Sequence, residues 1–308
     1  MARDARLVRD PHQKEIVKLF SAFDGSKNRR KIFDDFLWMT AIAISNSVDL
    51  IHREEREKMY MQIVQQYKPK EMEIFARMVA EITAGMEANP DQDFLGEMYM
   101  ALDFGSSSAG QFFTPYSVCR AMAAIVSDFD RLKAEIEDHG FVSVLDPACG
   151  AGALLVAFAN ECMRQDINYQ RKVLFVAQDI DHTVACMCYI ALSLMGCPGY
   201  VVVGDSLAHP ALFHDERGLI PVDNGNVWYT PMVMTSEDWT ARKFAALLGW
   251  EFDKMAESVS APDSPPLQRP EKPVKAAAPA SISPEAQRPP KAVKTAFEEN
   301  EFGQLTFF

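Results

Sequence analysis

The sequence predicts an α/β protein in which a helical amino-terminal segment precedes a parallel, doubly wound sheet. Three observations predict it. Apolar residues recur three and four apart from about residue 11 to 104, strand and helix signals alternate from residue 141 onward, and a glycine turn, Asp146-Pro147-Ala148-Cys149-Gly150-Ala151-Gly152, joins the first strand to its helix.

The helical segment comes first. Ile16, Leu19, Phe20 and Phe23, then Phe33, Phe36, Leu37 and Met39, keep helical spacing, and Asn89-Pro90-Asp91 breaks the pattern near its end. Gly105-Ser106-Ser107-Ser108-Ala109-Gly110 reads as a loop, and a helix is expected over about 115–137. Phe141 to Leu145 is the first strand of the sheet, followed by the helix after Gly152. Val173 to Ala177 and Tyr200 to Val203 are strands, with a helix over Thr183 to Met195 between them. A further strand is expected at Val227 to Met234 and a helix at Ser236 to Glu257, with no convincing strands after them, so the sheet reads as shortened. The implied division is a helical domain at 1–104, an α/β domain at 105–257 and a tail at 258–308. From Ser258 to Thr295 the chain is rich in Pro, Ala and Lys and lacks periodicity, which predicts a disordered tether with a reach of roughly 35 to 40 Å.

Composition excludes several classes. With 48% hydrophobic residues in 308 there is enough apolar material for a large core. No apolar run approaches the roughly 18 to 20 residues that span a bilayer, and no apolar signal core follows Met1, so a cytoplasmic protein is expected. The six cysteines show no Cys-x-x-Cys spacing, which predicts buried free thiols rather than disulfides or metal ligands. A net charge of -12 opposes simple tight binding to nucleic acid, because phosphate contacts need lysine and arginine. The first thirty-odd residues are nevertheless basic, through Arg3, Arg6, Arg9, Lys14, Lys18, Lys27, Arg29, Arg30 and Lys31. That run is either a solvated helical face or a phosphate-contacting arm.

The chemistry lies at the strand ends. Ligands of open parallel sheets sit beyond the carboxyl ends of the strands, where glycines let them touch backbone. A carboxylate at such a turn repels phosphate, whereas Asp146 suits a ligand with a cationic ammonium group, which points to S-adenosylmethionine rather than a dinucleotide. Asp179 ends the second strand, placed to accept from ribose hydroxyls, and Asp205 ends the third, placed to meet an adenine amino group. Each alone could equally cap a helix or a turn; three in register after three successive strands argue for one pocket.

A further segment, Gly110-Gln111-Phe112-Phe113-Thr114-Pro115, preceded by Asp93-Phe94-Leu95-Gly96-Glu97-Met98-Tyr99, resembles the donor-pocket entry of adenine-N6 DNA methyltransferases of the type I restriction-modification kind. Asp146-Pro147-Ala148-Cys149-Gly150 and Gly204-Asp205-Ser206-Leu207 resemble the same family's later motifs, so the likeness covers about residues 90 to 210. It implies a Rossmann-like S-adenosylmethionine-dependent methyltransferase domain behind a helical region, acting on DNA with a separate specificity subunit. It also implies that Gln111, Phe112, Phe113, Thr114 and Pro115 hold the methionine end of the donor. Asp146, with Pro147, Gly150 and Gly152, would hold the ammonium, Asp179 the ribose and Asp205 the adenine. Phe112 and Phe113 lie either near the sulfonium, where an aromatic face is favourable, or in the core.

The family's catalytic tetrapeptide, Asn or Asp followed by Pro-Pro and an aromatic, does not occur in the sequence. An adenine amino nitrogen is a poor nucleophile, and such a motif accepts its hydrogens and stacks the flipped base. Near the expected place stand Asn226, Trp228 and Tyr229, which offer an acceptor and two stacking rings at different spacing, or a buried edge strand. The alternative to an active enzyme is therefore a protein that binds the donor and acts near DNA through a partner. Finally, Gln304-Leu305-Thr306-Phe307-Phe308 resembles the short motif by which bacterial proteins dock on the DNA-polymerase sliding clamp, with Gln304, Leu305 and Phe308 matching; the alternatives are that it folds back onto the protein's own surface or has no role. A tethered anchor of this kind raises local concentration near DNA.

Overall fold

Five α-helices make up the amino-terminal segment in the computed structural model, which describes residues 8, 10–104, 113–126, 128–259, 297–299 and 305–307. They are α1 (Pro11–Leu19), α2 (Arg29–Asn46), α3 (Arg53–Val64), α4 (Pro69–Ala88) and α5 (Phe94–Ala101). Local chemistry sets their starts. Asp10 accepts from the backbone N–H groups of His12 and Gln13 with Pro11 in the first turn, Asn28 does the same for Arg30 and Lys31, and Asp93 accepts from Gly96 N–H.

The expected helix over 115–137 is two helices, α6 (Tyr116–Val126) and α7 (Phe129–His139). Asp128 is the reason, because its carboxylate caps a new start by accepting from Arg131 N–H at 3.1 Å. Then follow β1 (Val142–Asp146), α8 (Ala153–Arg164), the one-turn α9 (Tyr169–Lys172), β2 (Val173–Asp179), α10 (His182–Leu194) and β3 (Gly199–Val203). The strand expected at 227–234 is shorter: β4 covers Val227–Tyr229, after which Thr230-Pro231 opens α11 (Pro231–Thr235). Proline at the first helical position favours that turn and withholds a strand N–H. The long α12 (Glu237–Val259) comes next, and β5 (Phe297–Glu299) pairs antiparallel with β6 (Leu305–Phe307). The expected loop at 105–110, Gln111, Phe112, the proline-rich stretch 260–296, Gln304 and Phe308 lie outside the described residues.

The main sheet has the order β1-β2-β3-β4. β1, β2 and β3 are parallel, with Val142 opposite Val173 and Phe175 opposite Gly199, whereas β4 runs antiparallel to β3 with Val201 opposite Trp228. The parallel strands read as near-continuous apolar runs because both faces of β2 and β3 are covered. On one face α8, α10 and the amino-terminal helices share a single buried cluster that runs from Ile16 through Phe36 and Tyr99 to Val173, Phe175 and Trp228. On the other, Leu174, Val176, Tyr200 and Val202 meet Leu219, Met232 and Trp239. The helical segment and the sheet therefore share one core.

β4 is closed on its outer side by side chains. Val203 N–H donates to Asn226 O and Thr230 N–H to Gly199 O, so Val227 and Tyr229 point their backbone groups away from β3. Arg56, on α3, donates to Val227 O at 2.7 Å, and the Tyr189 hydroxyl, on α10, donates to Tyr229 O at 3.0 Å. The same guanidinium pairs with Asp49 at 2.7 Å and lies 4.1 Å from the centre of the Trp228 ring. All six cysteines are free and buried, as expected from their spacing. Among the described residues no helix is long and apolar enough to cross a membrane.

Candidate functional site

The carboxyl ends of β1, β2 and β3 bring three strand-end carboxylates to one rim of the sheet. After β1 the chain turns through Pro147 to Ala151, with Gly150 at φ 53° and Gly152 at φ 89°, both in the left-handed region. Gly152 also has no room for a side chain: a Cβ there would lie 2.9 Å from Cys188 Sγ. The turn is braced rather than loose. Cys149 N–H donates to Gln178 O at 2.9 Å, Gly152 N–H to Cys149 O at 2.8 Å, and Gly150 N–H to Asp179 Oδ2 at 2.8 Å.

Phe113 forms the roof. Its ring atoms lie 3.5 Å from where a Cβ on Gly150 would be, and the ring stacks on Tyr99 with centroids 5.7 Å apart. Thr114 and Pro115 follow it at the start of α6, both exposed. Asp146, Pro147, Gly150, Gly152, Asp179 and Phe113 are thus brought together around one turn, and Thr114 and Pro115 stand beside it. Gln111 and Phe112 lie outside the described residues.

The carboxylates differ in character. Burial pushes the Asp146 carboxyl above its ordinary range, and the nearby Asp179 charge adds to this, against the pull of Ala148 N–H, which donates to Asp146 Oδ1 at 3.1 Å. A desolvated carboxylate of this kind gains most from a cationic partner. Both Asp179 oxygens accept backbone N–H groups, from Gly150 and, at 2.9 Å, from Asp181, so this residue shapes the turn as well as facing the rim. Asp205 follows β3, where Leu207 and Ala208 N–H groups hold its carboxyl below the usual value.

Gln178, not singled out from sequence, and Asp93, named there only as the start of a resembling segment, also shape the region. The buried Gln178 side chain donates to His209 O at 2.9 Å and accepts from Ala211 N–H at 2.9 Å, fixing the loop after β3 beside the rim. Phe113, Thr114 and Pro115 also line a cleft of about 580 Å³, bordered by Gln13, Asp93, Glu97 and Arg120. Asp93 is buried there, and burial raises its carboxyl to about 7. Neither role has a local signal, since each depends on contacts made only in the fold.

The candidate target-base residues stand elsewhere. Trp228 is buried beneath Arg56 and meets Trp38, His182 and Tyr189 edge to face, and Tyr229 packs on Tyr200 at 5.9 Å. β4 lies beyond β3, with two strands between it and β1, so these rings serve the core and are not gathered at the Asp146 turn. Asn226 donates to Val203 O at 3.1 Å, while its buried Oδ1 accepts no hydrogen bond among the described residues.

The sequence of this region matches a known family. Residues 90–224 match the family model described as N-6 DNA methylase. Among solved structures, a class I S-adenosylmethionine-dependent methyltransferase from Listeria monocytogenes is similar at 13% identity, over 81% of this chain and 79% of that one, with a TM-score of 0.34. No curated protein matches. The family match implies S-adenosylmethionine as cofactor. The site passes a direct test of fit: a glycine turn without Cβ atoms, a desolvated carboxylate at its mouth and an aromatic ring above it suit a ligand with an ammonium and a sulfonium.

Proposed function

Given that residues 90–224 carry the N-6 DNA methylase pattern, we propose that this chain is a DNA methyltransferase acting on adenine N6, with S-adenosylmethionine held at the carboxyl ends of β1 to β3. The observation that carries the reading is the Asp146 to Gly152 turn, braced by Asp179 and roofed by Phe113. When bound, S-adenosylmethionine supplies an electrophilic methyl group. Asp146 takes the ammonium, Gln111 to Pro115 border the methionine end, Asp179 borders the ribose and Asp205 the adenine. Phe113 keeps water from the turn and offers its face to the sulfonium.

Partners complete the proposal. DNA recognition by a separate specificity subunit, in a restriction-modification setting in the cytoplasm, fits a chain whose net charge is -12. The tail from Gln304 to Phe308 would dock on a sliding clamp through Gln304, Leu305, Phe307 and Phe308. A second reading, donor binding without methyl transfer, is favoured by one specific observation: Trp228 and Tyr229 pack away from the Asp146 turn.

Calorimetry and a transfer assay separate these. Wild-type protein binds S-adenosylmethionine, and Asp146→Ala weakens binding by at least about tenfold, the loss expected for one charge-assisted contact. Equal binding by the variant refutes the site. Adenine-containing DNA incubated with protein and donor yields N6-methyladenine; donor binding with no product, alone and with a specificity subunit, establishes the second reading instead.

A further inference from the structure

The turn that ends the helical pattern, Asn89-Pro90-Asp91, also gathers two helices from further along the chain. It joins α4 to α5, and the Asp91 carboxylate accepts from donors on α6 and α8. The Tyr116 hydroxyl, at the start of α6, donates to Oδ1 at 2.7 Å, and Arg164, at the end of α8, donates to Oδ2. Arg120, one turn further along α6, reaches the same Oδ2 at 3.5 Å. The backbone of the turn takes part as well, because Asn160 on α8 donates through Nδ2 to Pro90 O at 3.0 Å.

Each of these helices carries a part of the candidate donor site at its first residues. Phe113-Thr114-Pro115 leads directly into α6, and the Asp146 to Gly152 turn leads directly into α8. One is the roof and the other the floor, with the Phe113 ring 3.5 Å from where a Cβ on Gly150 would stand. The two lie far apart in sequence, so their spacing depends on contacts. Phe113 is secured by its stack on Tyr99, while Thr114 and Pro115 are exposed. Arg120 and Arg164 are partly exposed, and ion pairs of that kind add little to stability, so stability alone gives this convergence little to do.

On the reading that Gln111 to Pro115 border the methionine end of S-adenosylmethionine, we propose that Asp91 is a positioning residue for that end. By holding the start of α6 against the end of α8, it sets the gap between the Phe113 roof and the Asp146 turn. Tyr116 is the main link. It follows Pro115 directly, so anchoring its hydroxyl on Asp91 fixes the direction in which the roof leaves the helix. Burial and the Asp91 carboxylate raise the Tyr116 hydroxyl above its ordinary range, and it remains a donor. Arg164 and Arg120 take the other oxygen, with Glu161 steadying Arg164 at 3.0 Å. Ribose and adenine belong to the ends of β2 and β3 on this reading, whereas the partners of Asp91 are on α6 and α8. Loss of Asp91 therefore acts on one end of the donor.

Calorimetry on the full chain with two ligands tests this. One is S-adenosylmethionine, and the other is 5′-methylthioadenosine, which keeps the adenine, ribose and sulfur but lacks the amino-acid end. Asp91→Ala is expected to weaken S-adenosylmethionine by about fivefold or more, the fold-change of roughly one hydrogen bond, and to leave 5′-methylthioadenosine within about twofold. Tyr116→Phe keeps the ring and removes only the hydroxyl, and is expected to give a loss with the same selectivity. The double variant is expected to bind no more weakly than Asp91→Ala, because both changes break one link. Circular dichroism is expected to match the wild type throughout. Unchanged S-adenosylmethionine affinity in folded Asp91→Ala protein overturns the proposal, as does a loss shared equally by both ligands, which marks a general effect on the fold. Wild-type protein that binds no S-adenosylmethionine overturns the donor site itself, and the role of Asp91 with it.

Discussion

Asp146 and Asp93 are both carboxyls removed from water, the first at the turn after β1 and the second in the cleft that Phe113 to Pro115 line. The first faces a rim suited to a cation, so its affinity for S-adenosylmethionine is expected to decline on acidification at a pH above that of an ordinary carboxylate. Calorimetry as a function of pH reads this, and an Asp146→Asn variant is expected to lack the decline. Asp93 acts on stability. Its pKa in the folded state lies near 7 against an ordinary 3.8, so its contribution is whole below about pH 4 and is lost as pH rises through 7. That displacement corresponds to about 4 kcal/mol. Asp93→Asn keeps an acceptor for Gly96 N–H, and its melting temperature between pH 5 and 8 is expected to be flatter than the wild type's. At this scale the sequence was readable where chemistry is local. A strand, two glycines and a helix announce the Asp146 turn, whereas Gln178 and Asp93 owe their roles to partners that no spacing reveals.

Elements show why the rest was hidden. The helix expected at 115–137 breaks because a single carboxylate, Asp128, caps a new start, and a cap of about 1 kcal/mol outweighs continuity of pattern. The strand expected at 227–234 ends at Tyr229 because Pro231 begins a helix. The aromatic pair Trp228 and Tyr229 looked available for stacking a base, and proximity to α3 and α10 decided otherwise. Arg56 joins α3 to β4 through Asp49, Val227 O and the Trp228 ring. Arg56→Ala leaves Asp49 without its guanidinium and uncaps β4, so a loss of about 3 kcal/mol is expected in denaturant unfolding. A loss below about 1 kcal/mol would show that the pair is merely neutral. Gly152→Ala is expected to cost about 1 to 3 kcal/mol as well, from positive φ and the clash with Cys188.

For the whole molecule, the expected division at residue 104 meets a buried cluster that runs from Ile16 across α5 and α10 to Trp228. The α/β class and the parallel order were legible from alternating signals, because each crossover is local in sequence. The shared core was not, since helical spacing shows that a face is buried without naming what covers it. Heating is therefore expected to unfold the helical segment and sheet in a single transition, seen together by tryptophan fluorescence and circular dichroism. Two separate transitions would mean that the two parts fold alone. The side chains on the outer carbonyls of β4 have a last consequence. With the carbonyls of Val227 and Tyr229 already accepting from Arg56 and Tyr189, a foreign strand that approaches β4 finds those acceptors taken, so this edge is a poor template for aggregation.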